Sequence, residues 1–226
     1  MRTEDLIREL AAEAEPVARL RPLGIRVLGW IGLALVCALV VVEMVGARAD
    51  LADVAWTGHF ATETLLLAIT ALSAAAGALV LSIPGAERSA LVRWLPVVTG
   101  AGLVAWIAGE LGMAAASGHP TGFFGPAWAC VLKTASIGIV PGIVLFGMVG
   151  RAAPLRAAWA GLLAILATSA VGVMGTNILC PNDRPLHLLL WHVAPMVLFS
   201  AAGAALGTWL LDWTRDLRAR GPGAVR

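Results

Sequence analysis

Six long apolar runs leave this chain essentially one way to fold. They lie at roughly 25–46, 60–83, 94–116, 126–149, 155–178 and 186–211. Each is about 20 residues or more, enough to cross ~30 Å of hydrocarbon as a helix. A span surrounded by lipid must satisfy its own backbone hydrogen bonds. The expected fold is therefore all-α: a polytopic membrane protein with six transmembrane helices in one bundle. Charged residues make up only 13% of the chain, where a soluble domain carries about a quarter, so a soluble enzyme does not fit. Eight of the nine Trp fall near span ends or in loops (Trp30, Trp56, Trp94, Trp128, Trp159, Trp191, Trp209 and Trp213), as in an interfacial aromatic belt. Pro84-Gly85, Gly118-His119-Pro120 and Cys180-Pro181-Asn182-Asp183 mark turns between spans.

The basic residues orient the bundle. Thirteen of the 16 Lys and Arg lie on one side, from Arg2, Arg8, Arg19, Arg21 and Arg26 to Arg215, Arg218, Arg220 and Arg226. Cytoplasmic loops carry such an excess, so both termini are expected in the cytoplasm. All four His, with Cys130 and Cys180, then face the other compartment. No dense basic cluster pairs with a nucleic-acid-binding motif, so the expected contacts are lipid and protein, with no direct nucleic-acid binding.

The organisation divides at 1–24, 25–211 and 212–226: an N-terminal cytoplasmic segment, the bundle and a basic cytoplasmic tail. Residues 3–20 read as an amphipathic helical segment. Leu6, Ile7, Leu10, Val17 and Leu20 follow helical spacing, Thr3 is a candidate N-cap, and Glu4 and Asp5 suit the first turn. Pro16 is expected to kink or end it. Its acidic residues (Glu4, Asp5, Glu9, Glu13, Glu15) repel anionic lipid and suit a basic protein partner. This acid-rich leader is unlike the short basic start of a signal peptide. Gly138/Gly142 and Gly203/Gly207 allow close helix approach, which ordinary bundle packing explains.

Four ionisable residues fall inside spans: Glu43, Glu63, Glu110 and Lys133. Buried charges usually pair, and Glu110 with Lys133 is the expected pair. A register-fixing role is favoured over an ion path, because no polar steps continue through the other half of the membrane. Cys130 stands one turn into the fourth span, where a helix N-terminus and Lys133 lower a thiol's pKa. Cys180 stands at the turn between spans five and six. Three readings fit this pair: a structural disulfide, a sensing thiol pair and two inert thiols. His187, His192 and His119 are candidate further ligands, and thiolate with imidazole suits zinc, cadmium or copper(I). Cys130, Cys180 and His192 form the expected metal set. No obligatory cofactor is expected; a transition or heavy-metal ion would enter as inducer.

The residues also resemble a known family. Thr3-Glu4-Asp5-Leu6-Ile7-Arg8-Glu9-Leu10-Ala11, Pro16-Val17-Ala18-Arg19-Leu20, Ser82-Ile83-Pro84-Gly85, Ala127-Trp128-Ala129-Cys130 and Cys180-Pro181-Asn182-Asp183 followed by Trp191-His192 resemble the NrsF-type negative regulators. These are six-span inner-membrane anti-sigma factors for extracytoplasmic-function sigma factors. The resemblance implies a non-enzymatic regulator. Its N-terminal segment, through Thr3, Asp5, Leu6, Ile7, Leu10, Val17 and Leu20, would hold the sigma factor. Cys130 and Cys180, with His187 and His192 beside them, would answer heavy metals or oxidants. The alternatives are a membrane thiol oxidoreductase and a metal-handling transporter built on the same Cys/His cluster.

Overall fold

The computed structural model describes residues 2–13, 20–81, 83, 88–118 and 127–212. Among these it is helical without a strand, and six helices are long and apolar enough to cross a membrane. The elements are α1 (Thr3–Glu13), α2 (Leu23–Val45), a short α3 (Leu51–Val54), α4 (Gly58–Val80), α5 (Ala90–Ala116), α6 (Trp128–Gly150), α7 (Ala157–Leu179), a short α8 (Pro185–Leu188), a π-helical turn (Leu189–Val193) and α9 (Ala194–Leu210). The expected spans match α2, α4, α5, α6, α7 and the α8–α9 unit to within a few residues. The expected kink at Pro16 and the tail beyond Asp212 lie outside the described residues.

Helix starts follow local chemistry. Thr57 and Ser89 cap α4 and α5, their hydroxyls accepting from the Phe60 and Val92 amides. Pro185 begins α8 at a position whose N–H no helix bond needs.

Helix α7 is the centre of the bundle, packed by α4, α6 and α9, while α2 lies on α6 and α5 lies on α4. The α7–α9 seam is the closest contact. A Cβ on Gly161 would come 2.2 Å from the Gly203 carbonyl oxygen, and one on Gly207 would come 2.2 Å from that of Ala157. Only hydrogen fits there, so the backbones touch, as small residues permit between membrane helices. The Gly203/Gly207 pair therefore serves packing within the bundle, as expected.

Two connections tie α2 to α6. Trp30 Nε1 donates to the Pro141 carbonyl at 3.0 Å, and Arg26 donates to the Met148 carbonyl at 2.7 Å. Trp30 is thus buried, not part of an interfacial belt; its indole N–H needs a partner away from water and finds one in the bundle. Trp94 with Trp159, and Trp128 with Trp191, stack edge to face at opposite ends of the bundle.

Alternating helix directions bring the end of α2, the starts of α4 and α6, the ends of α5 and α7 and the start of α8 to one end. Nearly all the chemistry gathers there.

Candidate functional site

Cys130 lies in the first turn of α6, and Cys180 is the first residue past α7. Both are buried and unbridged, with Sγ atoms 3.6 Å apart. His187 Nε2 lies 3.4 Å from Cys180 Sγ and 3.8 Å from Cys130 Sγ. His192 completes the group, its ring 5.3 Å from that of His187, and one ligand atom from each of the four residues lies within 4.8 Å of the others. The Cys130 thiol donates to Cys180, which draws the Cys180 thiol well below its ordinary range.

The π-helical turn explains how the two histidines meet. Residues five apart on a regular α-helix point about 140° away from each other. Pro195 has no N–H to close an ordinary turn. The chain instead widens, with the Ala194 amide bonding the Leu189 carbonyl. The wider turn swings His192 toward the face of His187. Asn177, on α7, then sets the His192 tautomer. Its Oδ1 accepts from Nδ1 at 2.7 Å, leaving the buried Nε2 as a lone pair with no hydrogen-bond partner. Such an outer partner raises the ligand strength of an imidazole.

These residues fit a thiophilic metal. Bonds of ~2.3 Å to sulfur and ~2.0 Å to nitrogen at tetrahedral angles span about 3.8 Å between sulfurs and about 3.5 Å from sulfur to nitrogen. The observed separations of 3.6, 3.4 and 3.8 Å lie within a few tenths of those edges. The two thiols also stand close enough to join as a disulfide when two electrons and two protons are removed.

A family model for NrsF, negative regulator of sigma F, matches residues 10–213. The chain belongs to the NrsF family. That description is of a regulator of a sigma factor, and it extends over the whole bundle. No curated protein and no solved structure matches the chain. In this NrsF chain the match begins at Leu10, so Thr3, Asp5, Leu6 and Ile7 precede it.

Other expected residues fall as follows. Thr3, Asp5, Ile7 and Leu20 are exposed, Ile7 at 60%. The side chains of Leu6 and Leu10, and all of Val17 and His119, lie outside the described residues. Glu43 is exposed at the end of α2. The expected Glu110–Lys133 ion pair does not form. Helix α5 packs on α4 and not chiefly on α6, so Glu110 meets His59 on α4 at 2.6 Å. Lys133 instead reaches the Leu179 carbonyl at 3.4 Å, where the partial negative charge of a helix C-terminus suits a cation.

Arg48, Asp50 and Asp183 were not singled out by sequence reasoning. The Arg48 side chain is 1% exposed and donates to both carboxylates, at 2.7 Å to Asp50 and 2.6 Å to Asp183. Asp50, then Asp183, raises the guanidinium pKa above its ordinary value, and Arg48 holds the Asp50 carboxyl below the usual range. The Arg48 amide also donates to the Ile178 carbonyl at 3.0 Å. The loop after α2 is thereby clamped to the loop carrying Cys180.

Proposed function

We propose that this chain is an inner-membrane anti-sigma factor for an extracytoplasmic-function sigma factor, with the N-terminal segment as its cytoplasmic hold and Cys130 and Cys180 as its trigger at the opposite face. The observation that carries the trigger is the two free thiols 3.6 Å apart beside two imidazoles. Heavy metal would bind Cys130, Cys180, His187 and His192, releasing the two thiol protons. An oxidant would instead accept two electrons as the thiols lose their protons and form a disulfide. A disulfide would draw α6 toward α7 at the cysteine end, and a metal would lock α6, α7 and the start of the last span together at about their present spacing.

Helix α6 also grips α2 through the Trp30 and Arg26 bonds, and α2 leads back to residues 3–20. A shift of α6 therefore has a covalent and hydrogen-bonded route to the sigma-holding segment. The exposed Ile7 and the acidic first turn of α1 offer a basic partner an apolar anchor and complementary charge. Moving the population from almost wholly bound to almost wholly released takes ~10⁴ in differential affinity, about 5.5 kcal/mol. A metal site or a disulfide supplies energies of that order.

The test is capture of an extracytoplasmic-function sigma factor on full-length protein in membrane vesicles and on a form lacking residues 1–23. Capture that disappears with the deletion, and that Cd²⁺ reverses only while both cysteines are present, is the expected result. Equal capture by the two forms would overturn the N-terminal hold. Cd²⁺ release from the double serine variant would overturn the trigger.

A further inference from the structure

A second cluster stands at the same end of the bundle and contains no sulfur. His59 and Glu63 lie one turn apart on α4, hence on one face, and Glu110 reaches them from α5. His59 Nδ1 donates to Glu110 Oε1 at 2.6 Å, so a neutral His59 presents Nε2 as a lone pair. That atom faces Glu63 Oε1 at 3.5 Å, and neither atom has a hydrogen-bond partner. Glu110 Oε2 is likewise buried without a partner. The Glu63 side chain is 3% exposed.

Two electron-rich atoms aimed at each other in a buried site repel unless something positive lies between them. Leaving a buried carboxylate unpaired is costly, the more so at membrane depth. The spacing fits a metal: bonds of ~2.0–2.1 Å at a tetrahedral angle hold two ligand atoms about 3.4 Å apart. The charge fits as well, since two carboxylates and one neutral imidazole balance a divalent ion. Glu63 also lines a small cavity that reaches Asn177 and His192, with room for about one water beside the carboxylate.

We propose that His59, Glu63 and Glu110 form a second metal site, for a divalent cation that prefers oxygen and nitrogen ligands, such as Mn²⁺ or Zn²⁺. His59 binds through Nε2 and Glu63 through Oε1, while Glu110 holds the far ring nitrogen, Nδ1, and so fixes the imidazole tautomer as an outer carboxylate. The donor set separates it from the thiol pair: carboxylate and imidazole accept Mn²⁺, whereas thiolates select softer ions.

Mn²⁺ is therefore the probe. Full-length protein in detergent is titrated with Mn²⁺ and followed by electron paramagnetic resonance, with pulsed detection of nitrogen coupling. The expected result is one ion bound per chain with nitrogen coupling, retained when both cysteines are serine. Affinity should fall more than about 100-fold in E63Q, beyond what loss of a mere outer partner costs. E110Q should weaken it, and His59→Gln should remove the nitrogen signal. Failure of the wild type to bind Mn²⁺ would mean that a proton alone bridges His59 and Glu63, and would overturn the site. Binding without nitrogen coupling, or binding unchanged in E63Q, would overturn it equally. Should E63Q fail to fold, the wild-type nitrogen coupling and its loss in His59→Gln decide the matter.

Discussion

The two histidine-bearing clusters at the cysteine end differ chiefly in what they can become. The Cys130, Cys180, His187 and His192 group can gain a soft metal or lose electrons. The His59, Glu63 and Glu110 group can gain a proton or a harder cation, and has no redox chemistry. Their supports differ too. The thiol group joins α6, α7 and the start of the last span, so a change there moves helices that reach α2. The carboxylate group joins only α4 and α5. In each group an imidazole has one nitrogen held by a fixed oxygen acceptor and the other left bare. The same backbone logic thus presents sulfur at one place and oxygen at the other.

Replacing Cys130 and Cys180 by serine should break this contrast most forcefully. The ~10⁴ population shift expected of the trigger should vanish for both Cd²⁺ and a thiol oxidant, read as sigma factor retained on vesicles. Rescue by the carboxylate cluster would show that the two groups are not chemically distinct. Next in size is Asn177→Ala, which should lower Cd²⁺ affinity about 10–100-fold by calorimetry while leaving disulfide formation intact. Equal loss of both would place Asn177 in the architecture of the thiols themselves.

Asp183→Asn strips a charged acceptor from the buried Arg48 and should lower stability by about 1.5–3 kcal/mol, visible as an earlier melt. The charge of Asp183 also reaches His59 and Glu63, so the Mn²⁺ affinity of the carboxylate cluster should fall slightly with it. Smallest is Trp30→Phe, which removes the bond to Pro141 at about 1 kcal/mol. Metal should bind as before while sigma release becomes less complete. Undiminished release would mean that α6 does not communicate through that bond.

The spans, the break at Cys180–Asp183 and the gathering of thiols and imidazoles at one end were legible in the sequence, because length, hydropathy and the alternation of directions determine them; the turns expected at Pro84-Gly85 and His119-Pro120 lie outside the described residues. The meeting of His187 and His192 was not. Their spacing of five matches no regular helical face, and only the wide turn before Pro195 aligns them. Asn177 gave no signal, since an amide in an apolar run reads as tolerated polarity. The expectation for Glu110 failed because it took the third and fourth spans, α5 and α6, to be neighbours, whereas α5 sits on α4. His59 was seen only as one more residue of the outer face, although its four-residue spacing from Glu63 was a usable hint. Arg48 lies off the arginine-rich side, and Asp50 and Asp183 more than offset its charge, leaving the trio with one net negative charge.

The glycine seam between α7 and α9 has a mechanical consequence. Backbones in contact cannot slide or bend independently, so the two helices move as one stiff beam. Helix α7, with 23 residues, is about 35 Å long at 1.5 Å per residue, and Cys180 sits at its tip. Drawing two sulfurs from 3.6 Å to the ~2.05 Å of a disulfide is a displacement of about 1.5 Å. A supple helix would absorb that within a turn. A stiff beam can only tilt, delivering the displacement to its far end, on the side of the membrane where the chain's arginines are massed.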